Sequence, residues 1–315
     1  MKPAFWTRPP GPLLRLLGPL APGCRTPRTA PGSRETLPVP VIAVGSLSLG
    51  GTGKTAAVIA LAQRLAMKGR KVHVVTSGPG APLRIDEGRH QPREVGDDPL
   101  LIAAFAPTWA AADLTEGLHM ACNTGAAAIV LDAKTLDPPV KPHAMIAVEN
   151  AQAGFGNGFA WPLGPLRQRL ATGLAAVDLL IGVGPARAQR AFAKTWGARV
   201  PCPILAADLA PLPTGMDWQG LDVVAFAGIG APERFFATLR GLGANLIRAQ
   251  ALSDHQEMTP ALLTRLDTEA RSAGAQLVTT EKDAVRLPPA FRRKVLSLPV
   301  RLEPADWAPL DALLS

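Results

Sequence analysis

The stretch SLSLGGTGKT (Ser46–Thr55) has residue types and a spacing that could bind the phosphates of a nucleotide. Its glycines let backbone N–H groups close around phosphate oxygens, and the N-terminus of a following helix adds partial positive charge. The lysine would reach the β- and γ-phosphates, and the last threonine would ligate Mg²⁺ through its hydroxyl. A phosphate loop (P-loop) is therefore predicted, although Ser48 stands where the standard pattern has glycine. The predicted nucleotide-binding residues are Ser48, Gly50, Gly51, Thr52, Gly53, Lys54 and Thr55.

This loop does not by itself distinguish a kinase from an ATPase or a GTPase. The nearest candidate for a guanine-reading motif is TTEKDA (Thr279–Ala284), in which Lys282 and Asp283 are adjacent without the usual spacer. The missing spacer counts against a GTPase.

A second candidate is AIVLDAKTLD (Ala128–Asp137), which is typical of a buried strand that ends in a carboxylate. Asp132 is a candidate Mg²⁺ ligand, whereas the following Ala133 and Lys134 have no oxygen in their side chains. Asp137 lies five residues beyond Asp132 and could take part only if the loop curled back. The stretch alone leaves three interpretations open: a working metal site, half of one, or a strand end.

Two further carboxylates, Asp97 and Asp98, precede an apolar helical run in REVGDDPLLIA. They could cap that helix and complement its dipole, or they could supply a base for an acceptor hydroxyl and oxygens for Mg²⁺. His255, in ALSDHQEMT, follows a predicted strand, a position where a histidine is more often structural. Arg167 lies in a loop rich in Gly and Pro, GFGNGFAWPLGPLRQRL, and would suit an anion.

The elements that must position these residues alternate between strands and helices from Pro38 onwards. This alternation predicts an α/β fold of P-loop NTPase type, with a doubly wound, mostly parallel sheet and a smaller C-terminal α/β lobe. The predicted strands of the first part are 39–45, 71–77, 126–132, 144–150 and 176–184, and its helices include 55–69, 98–105 and 114–124. The lobe has predicted strands 222–227, 245–252 and 276–280 and helices 232–242 and 259–273. The expected segments are an N-terminal segment 1–36, a P-loop core 37–210, a linker 211–221 and the lobe 222–315.

The composition limits the classes of binding partner and the cellular compartment that suit this chain. The net charge of +8 suits an anionic partner such as a nucleotide, a phospholipid headgroup or a nucleic acid, or it is ordinary solubility charge. Cys24, Cys122 and Cys202 are far apart, which indicates a reducing compartment. The chain has no Tyr and no apolar run long enough to span a bilayer. The N-terminal segment, with Phe5 and Trp6 among basic residues, is either a contact with an anionic membrane surface or a Pro-rich tail.

Several of these stretches, in this order, resemble the tetraacyldisaccharide 4'-kinases of lipid A biosynthesis, and the resemblance runs from about Pro38 to Leu310. Its landmarks are VPVIAVGSLSLGGTGKT, EVGDDPLLIA, APTWAA, GFGNG, GPLRQ, VVAFAGIGAPERFF, SDHQ and VTTEKDAVRL. It implies a kinase that uses ATP and Mg²⁺ and moves the γ-phosphoryl group onto the 4'-hydroxyl of a tetraacylated glucosamine disaccharide 1-phosphate. It also implies a peripheral protein at the cytoplasmic face of the inner membrane, with that surface and the acylated lipid as partners and no nucleic acid.

Matched residue by residue, the resemblance implies a role for each candidate. The implied catalytic residues are Asp97, His255 and Lys54. The implied Mg²⁺ ligands are Thr55, Asp98 and Asp132, and the implied substrate-binding residues are Asn157 and Arg167. Asp97 falls on the family's base, and the imidazole of His255 would orient it and tune its basicity. Asp98 stands where the family usually has Glu, and Arg167 could make a bidentate contact to an anion.

The chain departs from the family's pattern in four places. The family usually has two adjacent Asp residues at the end of the strand 126–132. Asp132 keeps the first, and Ala133 and Lys134 follow it, so the second Asp is lost. The segment 76–81 lacks an Arg and a Tyr, Gln168 replaces an acidic residue, and the N-terminal segment lacks much of an apolar helix. Losing one preorganised charged group typically lowers a rate by about 10²–10³. Two alternatives to an active kinase therefore stay open: a catalytically weakened homologue that binds nucleotide or lipid, and a P-loop NTPase with another acceptor.

Overall fold

The structure is a computed structural model that describes residues 3–18, 21, 23, 34–253 and 256–314. The chain forms two compact units that are discontinuous in sequence. The first unit comprises the described residues of Met1–Asp86, Ile102–Leu209 and Leu302–Ser315, and the second comprises those of Glu87–Leu101 and Ala210–Arg301. The division differs from the segments expected from the sequence, because the stretch with Asp97 groups with the C-terminal lobe and the last residues return to the first unit.

The described helices lie between strands for most of the chain. They are α1 Pro12–Leu17, α2 Lys54–Met67, α3 Pro92–Val95, α4 Asp97–Ala103, α5 Leu114–Asn123, α6 Leu170–Leu174, α7 Ala186–Trp196, α8 Pro232–Gly241, α9 Pro260–Ser272, α10 Glu281–Val285, α11 Pro289–Arg292 and α12 Ala308–Leu314. Short 3₁₀ helices cover Ala4–Trp6 and Gly197–Arg199.

The described strands include every strand expected from the sequence and five that were not expected, at 83–84, 108–111, 204–211, 295–298 and 300–304. They are β1 Val41–Gly45, β2 Val72–Ser77, β3 Leu83–Arg84, β4 Thr108–Ala111, β5 Ala128–Asp132, β6 Ala144–Asn150, β7 Leu179–Val183, β8 Ile204–Pro211, β9 Asp222–Ala227, β10 Asn245–Ala251, β11 Gln276–Thr280, β12 Val295–Leu298 and β13 Val300–Pro304. Strands β1, β5 and β7 are buried along their whole length, as expected where both faces of a parallel sheet are covered.

The main sheet has nine strands among the described residues, in the order β13-β8-β7-β6-β1-β5-β2-β4-β3. Its pairings from β8 to β4 are parallel, and β3 pairs antiparallel with β4. This arrangement confirms the predicted α/β class with a mostly parallel sheet. The order reverses at β1, with β5, β2 and β4 on one side and β6, β7 and β8 on the other. Ligands of open α/β sheets bind beyond the carboxyl ends of the strands at such a reversal.

Helix α2 follows β1 and covers the sheet beside it. Its buried face consists of Ala57, Val58, Ile59, Ala60, Leu61, Ala62 and Leu65. It packs on β5, β2 and β1, which fixes the position of the loop that joins β1 to its first turn. The helical spacing of apolar residues in the sequence therefore predicts the element that holds the phosphate loop.

The second unit has its own parallel sheet, which has four strands within the described residues, in the order β10-β9-β11-β12. Helix α8 covers one face through Phe235, Phe236 and Leu239, and α9 covers the other through Leu263 and Leu266. Two apolar clusters, one on each face, give this unit a core of its own. The short helix α10 follows β11 directly and carries the acidic and basic residues of the EKDAVR stretch.

Candidate active site

The glycines of the phosphate loop adopt backbone angles that other residues rarely reach. The loop leaves β1 at Gly45 and enters α2 at Lys54, and Gly50, Gly51 and Gly53 have φ of 71°, 59° and 93°. A side chain at these positions would be strained, because positive φ favours glycine. Helix α2 begins at Lys54 with Gly53 as its N-cap and no side-chain cap, and a helix N-terminus carries partial positive charge. The loop backbone and this N-terminus are compatible with the predicted binding of phosphates, which stays a prediction.

The carboxylate of Asp132 lies against the phosphate loop. Register places Asp132 beside Val44 of β1 and Thr76 of β2, at the carboxyl edge of the sheet. The Lys54 ammonium forms an ion pair with Asp132 Oδ1, and the Thr76 hydroxyl donates to Oδ2 at 2.8 Å. Asp132 is buried, and its two oxygens are held by side chains of β2 and of the first turn of α2. No signal in the sequence pointed to Thr76, because its contact depends on the register of β2 against β5.

The residues after Asp132 behave as a strand end rather than as a second ligand. The Ala133 amide donates to Val44 O at 2.9 Å, its methyl group is buried, and Lys134 is exposed. Asp137 does not take part in this end of the site, because its carboxylate forms an ion pair with Arg34.

The oxygens of Thr55 and Asp132 belong to the chemical class that Mg²⁺ prefers. Thr55 is the second residue of α2, and Asp132 ends the neighbouring strand β5. Among the described residues no group of three or more His, Cys, Asp or Glu could hold a metal ion. Mg²⁺ bound with a nucleotide needs fewer protein ligands, because it keeps several waters and binds the phosphates. The donor set therefore fits Mg²⁺ bound together with a triphosphate.

The leg of the phosphate loop that precedes the glycines is paired with the GPLRQ stretch. Ser48 and Leu166 form an antiparallel bridge, Leu49 N donates to Pro165 O at 2.9 Å, and Arg167 N donates to Leu47 O at 2.7 Å. The backbone of the predicted substrate-binding Arg167 is thus fixed to the phosphate loop.

A fully buried carboxylate, that of Glu149 near the end of β6, supports the same leg. Its Oε1 accepts from the amides of Leu47 and Ser48, at 2.5 and 3.1 Å. Burial raises the pKa of Glu149 to about 7, against the opposing effects of the Ser48 hydroxyl, the two amides and the charge of Arg167. Sequence reasoning missed this residue, and the signal was a lone carboxylate inside the apolar run AMIAVEN.

Asn157 connects the GFGNG loop to the N-terminal segment. Its Nδ2 donates to Leu163 O at 2.8 Å and to Phe5 O at 3.3 Å, and its Oδ1 accepts from Phe159 N at 3.1 Å. The backbone N–H of Asn157 donates to Trp6 O at 2.7 Å. Asn157 is buried by these contacts, and its substrate-binding role stays a prediction.

The N-terminal segment places apolar side chains on the surface of the first unit. The Trp6 indole is buried and donates to Pro162 O at 3.1 Å, whereas Leu16 of α1 is 72% exposed. Phe5, Leu17 and Trp161 are also exposed. None of the described helices combines the length and the apolar character needed to cross a membrane.

The two adjacent aspartates lie in the second unit, each beside a cation. Asp97 and Asp98 form the first turn of α4, where negative charge complements the helix dipole. Arg286 Nε is 3.3 Å from Asp97 Oδ2, and Lys282 Nζ is 3.0 Å from Asp98 Oδ1. Their roles as base and metal ligand stay predictions. His255, the predicted partner of Asp97, lies outside the described residues.

The chain is similar to a family of kinases and to a solved structure of that family. Residues 23–315 match the family model described as Tetraacyldisaccharide-1-P 4'-kinase. The tetraacyldisaccharide 4'-kinase of Jannaschia sp. (strain CCS1) is 48% identical over 319 residues, covering 98% of this chain and 97% of that protein. The protein of the same name from Dinoroseobacter shibae is 48% identical over 323 residues, covering 99% and 96%. The crystal structure of "apo" form LpxK from Aquifex aeolicus in complex with ATP has a TM-score of 0.67 at 22% identity, covers 89% of each chain, and shows the fold.

Proposed function

The chain belongs to the tetraacyldisaccharide-1-P 4'-kinase family, and we propose that the residues described above divide that reaction among them. The protein is a lipid A 4'-kinase, which transfers the γ-phosphoryl group of ATP to the 4'-hydroxyl of a tetraacylated glucosamine disaccharide 1-phosphate. The family match over residues 23–315 is the observation that carries this conclusion. Relatives that carry the kinase name at 48% identity over nearly the whole chain do not favour a homologue without turnover.

The first unit binds the triphosphate. The backbone N–H groups of the phosphate loop and the first turn of α2 surround the phosphate oxygens. The ion pair with Asp132 holds the Lys54 ammonium at the loop, and the more highly charged triphosphate draws it to the β- and γ-phosphates. Asp132 and the Thr55 hydroxyl would hold Mg²⁺ when the ion is bound. When bound, Mg²⁺ screens the phosphate charge that builds up during transfer.

The second unit supplies the base. Asp97 accepts the proton of the 4'-hydroxyl while the bond from that oxygen to the γ-phosphorus forms and the bond to the β–γ bridging oxygen breaks. His255 orients the Asp97 carboxylate, and the family's motif assigns Asp98 a role towards Mg²⁺. This division of roles rests on the family's motifs at these positions, with the Asp97 side chain largely buried and that of Asp98 partly exposed.

Binding of the lipid is shared by two loops. Arg167 makes a charge-assisted contact to an anionic group of the acceptor, from a backbone position fixed against the phosphate loop. Asn157 keeps the GFGNG loop in place and offers its polar groups to the substrate when the loop adjusts.

The protein works as a peripheral protein at the cytoplasmic face of the inner membrane. Its acceptor is an acylated lipid, and the exposed Phe5, Leu16 and Leu17 lie in a segment that also carries Arg8 and Arg15. Apolar side chains next to cations suit shallow contact with anionic lipids.

The Asp97→Asn variant tests the division of roles. It should bind ATP as the parent does, because Asp97 is not part of the phosphate loop, and its rate of transfer to the disaccharide should fall by about 10²–10⁴-fold. ATP affinity is measured by calorimetry and product by transfer of radiolabel from ATP to the purified acceptor. Parent-like turnover by Asp97→Asn would remove Asp97 from the mechanism and leave the family assignment intact.

A further inference from the structure

The EKDAVR stretch, which the proposed mechanism does not use, encloses the Asp97 carboxylate from within the second unit. Arg286 Nε lies 3.3 Å from Asp97 Oδ2, and the two side chains are 8% and 9% exposed. An ion pair that is nine-tenths buried is poorly screened by solvent, so each partner strongly restricts the other. Arg286 is thus a largely buried ion-pair partner of Asp97 among the described residues.

Arg286 is itself held from three other directions. Its Nη2 forms an ion pair with Asp283 Oδ1 and donates to Gly228 O at 3.2 Å. Its Nη1 donates to Gln256 O at 3.0 Å. Gln256 directly follows His255 in the sequence, so Arg286 binds one candidate catalytic side chain and the backbone next to the other.

The carboxylate of Asp283 anchors this arrangement. It is fully buried, and its Oδ2 accepts from Gly228 N at 3.0 Å and from the Thr280 hydroxyl at 2.7 Å. Thr280 also caps α10, since its hydroxyl accepts from Asp283 N at 3.1 Å. The end of β11 and the start of α10 therefore fix Asp283, which fixes Arg286.

We propose that Arg286 is a positioning residue for the kinase reaction, one that holds the Asp97 carboxylate in the orientation needed to accept the acceptor's proton. The inference rests on the proposed function, because it takes Asp97 as the base. Arg286 acts through Asp97 and does not touch the reacting atoms. Lys282, four residues earlier, holds Asp98 in a parallel way, so one short stretch restrains both aspartates.

The geometry calls for arginine at this position. A guanidinium offers five N–H donors in one plane, so Nη1 and Nη2 can donate to Asp283 and two backbone carbonyls while Nε faces Asp97 as an ion pair without a hydrogen bond. A lysine ammonium at the end of a flexible chain has three donors and no such fixed fork. Arg286→Lys should therefore keep the charge that Asp283 requires and lose the restraint on Asp97.

The test compares steady-state kinetics of the full-length parent, Arg286→Gln and Arg286→Lys with ATP and the acylated disaccharide. We expect kcat to fall by about 10²-fold in Arg286→Gln, because a misplaced reacting group costs a factor of this order. The KM for ATP should stay within about threefold, since the interaction matters in the transition state and not for nucleotide binding. Arg286→Lys should lie between the parent and Arg286→Gln in kcat.

A double-mutant cycle separates positioning from simple stabilisation. In the Asp97→Asn background, measured by single turnover, Arg286→Gln should change the rate by less than about threefold, because its effect passes through Asp97. Arg301→Gln is the matched control, since it breaks another partly buried Arg–carboxylate pair, with Glu281, that does not reach Asp97. It should leave kcat unchanged.

Three results would overturn the proposal. The first is a parent-like kcat in Arg286→Gln, and the second is a further fall of about 10²-fold when Arg286→Gln is added to Asp97→Asn. The third is a fall of kcat in Arg301→Gln as large as that in Arg286→Gln. If Arg286→Gln does not fold, as judged by circular dichroism and thermal melting, the Arg286→Lys variant decides in the same way. Failure of the proposed function looks different, because the parent itself would then give no phosphorylated disaccharide, and failure of Asp97 as the base would show as parent-like turnover in Asp97→Asn alone.

Discussion

Asp132 is the residue on which the phosphate end of the site depends. It accepts the Lys54 ammonium on one oxygen and the Thr76 hydroxyl on the other, so its charge is compensated before any nucleotide binds. In the proposed mechanism, triphosphate binding would exchange the partner of Lys54, and Mg²⁺, when bound, would supply the cation that compensates Asp132.

The Ala133→Asp substitution tests whether one carboxylate is sufficient. We expect kcat to rise by about tenfold or more, because a second carboxylate next to Asp132 adds a preorganised charge of the kind that is often worth 10²–10³ in rate. The measurement is kcat at saturating MgATP and acceptor, with the melting temperature as a check on folding. Lys134→Asp is the control. It places a carboxylate one residue further along the chain, at an exposed position, and should not raise kcat. An unchanged kcat in Ala133→Asp would show that the missing carboxylate does not limit turnover.

The raised pKa of Glu149 makes stability depend on pH. Its pKa is about 7 in the folded chain against 4.5 for an ordinary glutamate, so between these values the folded state binds the extra proton. The free energy of unfolding therefore falls as pH rises from about 4.5 to 7, by up to roughly 3 kcal/mol from this group. Glu149→Gln should flatten the dependence, because an amide keeps an acceptor for Leu47 N and Ser48 N without titrating.

The measurement for Glu149 is thermal or urea unfolding between pH 5 and pH 8. The parent should lose more stability over this range than Glu149→Gln does, and Glu303→Gln, at an exposed position of β13, should behave like the parent. The opposing charge next to Glu149 is Arg167, which stays charged throughout the range. Equal pH slopes for the parent and Glu149→Gln would contradict the assignment.

Residue spacing alone could predict the loop and Asp132, but not the contacts that support them. A GGTGKT sequence between a strand and a helix has few other physical uses, which is why Lys54 could be named in advance. Thr76 and Glu149 act through the register of neighbouring strands, and register is not written in a single strand's sequence. Arg286 contacts Asp97 although the two residues are almost 190 positions apart in the sequence, so no local sequence pattern could predict the pair.

At the scale of elements, the phosphate loop is held at both ends by different means. Helix α2 fixes its C-terminal end through a buried apolar face, while the Ser48–Leu166 bridge fixes its N-terminal leg. The bridge also connects the loop to the GFGNG and GPLRQ stretches, and through Asn157 to the N-terminal segment. The nucleotide end and the exposed apolar side chains are therefore linked by hydrogen bonds within one unit.

The N-terminal segment should bind anionic membranes through its exposed apolar side chains. Replacing Phe5 and Leu16 together by Glu should weaken binding to vesicles of phosphatidylglycerol and phosphatidylethanolamine at least about fivefold, because each side chain loses apolar burial and adds repulsion. Co-sedimentation with the vesicles measures this. Met67→Glu is the control, since Met67 is as exposed as Leu16 but lies at the end of α2. Equal losses in both variants would mean that this segment is not the membrane contact.

At the scale of the molecule, the eight expected strands were predictable in order and position, whereas five further described strands and the grouping into units were not. Strands 144–150, 222–227 and 276–280 have the bounds expected from apolar runs between turn residues. The sequence places 87–101 in the middle of the core, yet it belongs to the second unit, within which Asp97 and Asp98 pair with cations of α10 and its C-cap. Hydrophobic periodicity carries no information about contacts between residues so far apart in the sequence.

Phosphorylation of the purified tetraacyldisaccharide 1-phosphate by the full-length protein is the decisive assay for the kinase activity. The assay follows radiolabel from the γ-phosphate of ATP into the lipid in the presence of Mg²⁺, with Lys54→Ala as the inactive reference. We expect 4'-phosphorylated product from the parent and a loss of at least about 10²-fold in Lys54→Ala, the scale of one preorganised charge. Normal ATP binding with no labelled lipid, or equal labelling by the parent and Lys54→Ala, would contradict it.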